Sequence, residues 1–208
     1  KCCVRLNAVP RVRIPPSPYG SYEEQYKILF SKDIDTKVAT YLERISKLFI
    51  KCKGSFNVAL AGGNTPLNAY KLLSQRVKDF NSWNIFLTDE RFVSDERSNC
   101  LRLKEFFKNI KCFDTSLPPE ESAKLYSKEL KDLDFILLGI GKDGHTASLF
   151  PNRECKKITP ELCITTSPDG LLRISLTEEF INSAQKIAFF VKGEEKREVL
   201  EKLLVGED

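Results

Sequence analysis

One histidine occurs in the 208 residues, His145. It closes the run Gly139-Ile140-Gly141-Lys142-Asp143-Gly144-His145. An imidazole moves protons near neutral pH, and a carboxylate two residues earlier can orient the ring and fix its tautomer. A lone histidine can also be a surface group or a satisfied core group. Its place after a triple-glycine turn, with Asp143 at hand, favours proton transfer. A single histidine excludes every metal site that needs two imidazoles, and no metal is expected.

Other positions carry anion chemistry. Ala61-Gly62-Gly63-Asn64-Thr65-Pro66 follows an apolar run. Gly62 and Gly63 let the backbone approach a ligand. Thr65 as N-cap and Pro66 at the first helical position would aim free N–H groups at an anion. No Gly-Lys-Ser/Thr closes the run, so it is not a Walker A loop, and a plain strand-to-helix turn is the alternative. Asp89-Glu90-Arg91 follows another apolar run. Its carboxylates could handle protons and Arg91 could grip a phosphate, or the triplet could be a salt-bridged corner. Arg173 and Lys196 could join Arg91 in a cationic pocket. The spacing Gly139, Gly141, Gly144 also fits the dinucleotide pattern G-x-G-x-x-G. Three features oppose that reading: its late position, Asp143 where a pyrophosphate would sit, and Pro151 ending the room for a long helix.

These residues need strand ends to hold them. Tyr26–Phe30, Phe56–Ala61, Ile85–Thr88, Phe135–Leu138, Leu162–Thr166, Leu171–Leu176 and Lys186–Val191 read as strands. Helices are expected from Asp33 to a stop at Gly54, from Thr65 to about Ser74, over Ser98–Phe107 and Pro119–Leu130, after a Thr177 cap, and over Glu194–Leu204. Residues 1–20, with four prolines, read as irregular with short β-like pieces. Central strands that are apolar throughout, alternating with helices, indicate α/β: a mostly parallel sheet with helices on both faces, forming a single domain. Ligands in such folds bind beyond the carboxyl ends of the strands, where each candidate lies.

Composition removes other classes. Lys plus Arg number 33 against 29 Asp plus Glu, a dispersed net charge of +4 that argues against nucleic acid. No apolar run reaches the ~20 residues of a membrane span, and no signal peptide is evident at the start. The seven cysteines are odd in number and scattered. No disulfide framework or zinc knuckle is expected, and a cytoplasmic setting fits best.

The motifs AGGNTP, TDER followed by SN, GIGKDGHTASLFP, RISLT and GEEK occur in that order. The chain resembles the glucosamine-6-phosphate isomerase/6-phosphogluconolactonase family, on its lactonase side, over roughly residues 25–204; residues 1–24 match poorly. The resemblance implies a modified Rossmann-like fold and hydrolysis of 6-phosphoglucono-1,5-lactone, without cofactor, in the oxidative pentose phosphate pathway. It implies that His145 activates water while Asp143 and Asp89 line the site. Gly62, Gly63, Asn64 and Thr65 would cradle the phosphate, with charge from Arg91, Arg173 and Lys196. Some such lactonases in protozoan parasites are fused to glucose-6-phosphate dehydrogenase, so fusion to or association with that enzyme is allowed. The isomerase branch has a pattern like GHIAFNEP after the same histidine, and its glutamate falls here on Phe150, which cannot move protons. A non-catalytic sugar-phosphate-binding domain and a NAD-dependent enzyme are further alternatives, weakened by the intact Asp-Gly-His element and by the features opposing a dinucleotide site. No helix-turn-helix accompanies the domain.

Overall fold

The computed structural model describes residues 2–5 and 27–205. Most of the proline-bearing opening segment lies outside them. The strands are β1 (Cys2–Arg5), β2 (Lys27–Phe30), β3 (Phe56–Leu60), β4 (Trp83–Leu87), β5 (Asp89–Arg91), β6 (Phe135–Leu138), β7 (Lys156–Lys157), β8 (Leu162–Thr166), β9 (Leu172–Leu176) and β10 (Ile187–Val191). The helices are α1 (Ile34–Lys53), α2 (Leu67–Arg76), α3 (Asn99–Lys104), α4 (Pro119–Glu129), α5 (Glu178–Ser183) and α6 (Arg197–Val205).

Six strands form one sheet in the order β2-β1-β10-β6-β3-β4. β10, β6, β3 and β4 are mutually parallel, whereas β1 runs antiparallel to both β10 and β2. Every residue of β3, β6 and β10 is buried, as expected of strands covered on both faces. Aromatic packing locks the layers. Phe56 on β3 meets Trp83 on β4 edge-to-face at 4.8 Å, and Phe49 of α1 stacks on Phe56. The apolar stripe Val38, Ala39, Leu42 and Ile45 buries one face of α1. That helix ends where Gly54 adopts φ +82°, a left-handed stop that glycine takes without a Cβ penalty.

A second sheet departs from the sequence expectation. Asp89–Arg91 does not merely trail the β4 strand. It forms β5, antiparallel to β9, in a four-stranded sheet β5-β9-β8-β7. Its charged side chains gave no strand signal. Helix α2 begins one residue later than expected. Pro66 stands at its N-cap and Thr65 makes no capping bond there. Residues 194–196 form a short 3₁₀ turn before α6 rather than part of one continuous helix.

The cysteines require a further correction. Cys100 pairs with Cys112 and Cys155 with Cys163, at Cα separations of 5.7 and 5.4 Å. Folding brings these partners within bridging range across separations of 12 and 8 residues, which parity and spacing motifs do not reveal. Closing each loop restricts the unfolded chain, an effect of roughly 2–4 kcal/mol per bridge. Dithiothreitol should therefore lower the urea midpoint of the oxidised protein. An unchanged midpoint after thiol titration confirms reduction would contradict the bridges' contribution.

Candidate active site

Most candidate residues follow the carboxyl ends of the parallel strands β3, β4, β6 and β10, whereas Arg91 and Arg173 lie on the second sheet. Beyond β6, the backbone from Gly139 to His145 coils tightly. Gly141 N–H donates to the His145 carbonyl at 2.7 Å, Gly144 turns at φ +85°, and the Thr146 hydroxyl donates to the Gly139 carbonyl at 2.9 Å. This turn places His145 Nδ1 2.5 Å from Asp143 Oδ1, with both side chains partly open to solvent. Burial raises the Asp143 carboxyl pKa, but the hydrogen bond and charge of His145 outweigh it and hold the group below its usual range. Asp143 therefore stays ionised at neutral pH. A carboxylate on Nδ1 favours the proton there and leaves the other ring nitrogen, Nε2, free to accept one. The opposite ring contact is Phe150, at 4.7 Å between centroids.

Beyond β3 lies the glycine loop. The buried Tyr70 hydroxyl on α2 donates to the Ala61 carbonyl at 2.9 Å, fixing the loop's first residue. Asn64 accepts a 2.8 Å bond from Arg102 of α3. At Gly63, a Cβ would meet nothing within 4 Å.

The antiparallel register of β5 and β9 sets Arg91 directly opposite Arg173. Arg173 is largely buried. It donates to Ser167 Oγ at 3.2 Å and lies 3.9 Å from Asp169. Burial depresses the Arg173 guanidinium pKa, and the positive charge of Arg91 depresses it further despite the attraction of Asp89. Two adjacent guanidinium groups repel each other, and an anion between or beside them relieves that repulsion. Lys196 approaches from beyond β10. Burial lowers its pKa, Glu195 raises it, Lys142 lowers it and Asp143 raises it, which places this cation beside the histidine turn.

Asp89 is only 6% exposed, and its acceptors are engaged. Oδ2 accepts from the Ser148 hydroxyl at 2.7 Å, and Oδ1 from the Thr88 hydroxyl at 3.1 Å and from Asn99 at 3.4 Å. It ties the segment after His145 to α3. The Ser148 N–H donates in turn to Ser175 Oγ on β9, and Ala147 takes φ +49° to make that turn. Asn99, Arg102, Ser148 and Ser175 are parts of the site that the sequence reading did not single out. Asn99, Ser148 and Ser175 lie within the family motifs, whose spacing does not mark these contacts, and Arg102 lies outside every motif. Among the described residues, no group of three or more His, Cys, Asp or Glu is placed to hold a metal ion. No helix among them is long and apolar enough to cross a membrane.

The 6-phosphogluconolactonase of Thermotoga maritima is 32% identical over 199 residues, spanning 88% of this chain and 86% of the relative. A solved 6-phosphogluconolactonase from T. maritima superposes with a TM-score of 0.78 at 28% identity, over 85% of this chain and 88% of that one. The human GDH/6PGL endoplasmic bifunctional protein is 32% identical over 82% of this chain, which covers 25% of the relative. The family model described as glucosamine-6-phosphate isomerases/6-phosphogluconolactonase matches residues 31–208. With a family model over most of its length and relatives above 30% identity, the chain belongs to the glucosamine-6-phosphate isomerase/6-phosphogluconolactonase family.

Proposed function

We infer that the chain hydrolyses 6-phosphoglucono-1,5-lactone to 6-phosphogluconate, using water activated by His145. The observation that carries this reading is the Asp143–His145 pair, set beyond β6 within electrostatic reach of Lys196. His145 Nε2 takes a proton as the water oxygen bonds to the lactone carbonyl carbon. The tetrahedral intermediate then expels the ring oxygen, which takes the proton back from His145. The carbonyl carbon–ring oxygen bond breaks, leaving a hydroxyl and a carboxylic acid, which loses its proton to solvent to give the carboxylate. Arg91, Arg173 and Lys196 hold the phosphate with the backbone of Gly62, Gly63, Asn64 and Thr65. Asp143 holds the ring, and Asp89 works from below as a tie between loops rather than as a proton acceptor.

The isomerase reading loses ground at Phe150, whose ring packs at a tilt against His145 where that branch has a glutamate. The human relative's bifunctional name supports a glucose-6-phosphate dehydrogenase as partner, since an enzyme that forms the lactone nearby shortens its path to this site. Compartment is no part of the reading. The scattered cysteines that pointed to the cytoplasm are partly paired, and disulfides persist in oxidising surroundings.

The substrate class is tested with two lactones. Changing Arg91, Arg173 or Lys196 singly to Ala should raise KM for the phosphorylated lactone. A charge-assisted contact of about 1.5–3 kcal/mol corresponds to roughly 10–150-fold. KM for unphosphorylated glucono-1,5-lactone should hardly move, because those cations have no phosphate to bind. Three variants that match the parent on the phosphorylated lactone would remove the phosphate pocket from this place.

A further inference from the structure

We propose that Asn99 is the positioning residue of the anion loop: its buried amide, clamped at the start of α3, sets where the Gly62 backbone stands. Two sets of bonds make the clamp. The Asn99 side-chain amide donates to the Asp89 carbonyl at 2.9 Å and reaches Asp89 Oδ1 at 3.4 Å. Its backbone N–H donates to Glu90 Oε1 at 2.7 Å.

Glu90 is fully buried and spends its carboxylate on this one corner. It accepts from the N–H groups of Arg91, Asn99 and Cys100 at 2.7–2.8 Å and from the Ser98 hydroxyl at 3.0 Å. Ser98 in turn caps α3 by accepting from the Leu101 N–H. A buried carboxylate that collects several donors rigidifies what it binds. Asn99 thus has little freedom to move.

The loop is pressed against this fixed side chain. A Cβ on Gly62 would stand 2.3 Å from Asn99 Cβ, 2.3 Å from its Cγ and 2.5 Å from its Oδ1. Only glycine allows that approach. Asn99 Oδ1 is buried and accepts no hydrogen bond. Hydrogen bonding therefore accounts for one end of the amide, and its fit against Gly62 accounts for the other. Arg102, one turn further along α3, holds Asn64 at the loop's far side. Helix α3 splints both ends of the loop, and Asn99 is its tight end.

The identity of the anion rests on the lactonase reading, so the experiment separates the two. Lactone turnover by the parent tests that reading alone. Calorimetric binding of 6-phosphogluconate tests Asn99 whether or not turnover is seen. Asn99→Ala should weaken that binding about tenfold and raise KM for the lactone by a similar factor, with kcat within about threefold, because His145 and Asp143 are untouched. The comparison variant is Leu103→Ala, which empties a fully buried position on the same helix. It should lower the melting temperature at least as much while leaving 6-phosphogluconate binding within about twofold. If Asn99→Ala fails to fold, Asn99→Ser is measured in the same way. As a reciprocal test, Gly62→Ala should weaken binding, and adding Asn99→Gly should restore part of the loss by removing the clashing atoms. Parent-like binding by the folded Asn99 variant overturns the proposal. So does an equal weakening by Leu103→Ala at the same loss of melting temperature.

Discussion

His145→Asn should lower kcat about 10²-fold or more while KM stays within a few-fold. Asparagine keeps size and polarity but has no basic nitrogen to take the proton from water. On the proposed reading Arg91, Arg173 and Lys196 hold the phosphate, so ground-state binding should be spared. The same reasoning fixes the pH dependence. The base works only as neutral imidazole, so kcat/KM should fall toward acid pH. Asp143 titrates lower, because its pKa is depressed by the bond to His145. Its interaction is thus present above the ordinary aspartate range and is lost only as pH falls through that depressed value. The carboxylate therefore holds the ring throughout the neutral pH range. Spontaneous lactone hydrolysis must be subtracted, since it would mask the loss. A folded His145→Asn protein that keeps kcat within about threefold would remove this residue from the mechanism.

Gly141→Ala is the second large effect. The site has no space for that methyl group. A Cβ at Gly141 would stand 2.1 Å from His145 Nδ1, 2.4 Å from its Cε1 and 2.4 Å from Asp143 Oδ1. The added group lies against both halves of the proton-handling pair. Either the ring swings away or the Asp143–His145 bond breaks. A displacement near 1 Å costs on the order of 10²-fold, so kcat should fall nearly as far as in His145→Asn, with KM little changed. Circular dichroism would show whether the fold survives. Wild-type kcat in a folded Gly141→Ala protein would mean that the tight turn does not aim the histidine. The glycine spacing that resembles a nucleotide motif serves here to leave room for an imidazole and a carboxylate.

Much of this site was legible in the sequence because strand ends announce themselves. FNVAL, FILL and IAFFV are apolar but for Asn57 and become buried parallel strands. The loops after the first two, and Lys196 beyond the third, lie at the site. Gly54 and Thr177 end and begin helices as their chemistry dictates. The β5 strand was hidden, because Asp89-Glu90-Arg91 has no apolar alternation and is held by pairing with β9. That pairing, and not local sequence, puts Arg91 opposite Arg173. Thr65 looked like a cap, yet the chain makes a turn before α2 and starts the helix at Leu67. The packing of Asn99 on Gly62 and the bond from Ser148 to Asp89 join residues distant along the chain. Neither has a periodic or spacing signature, and only tertiary folding reveals them. The disulfide pairs escaped for the same reason.

The most direct test of the lactonase account sets two assays side by side on one preparation. One monitors hydrolysis of freshly made 6-phosphoglucono-1,5-lactone, corrected for the spontaneous rate. The other monitors ammonia release from glucosamine 6-phosphate. With Phe150 against His145 and no glutamate at that position, the account predicts lactone hydrolysis well above the spontaneous rate and no ammonia release. Ammonia release, or lactone loss no faster than in buffer, would contradict it.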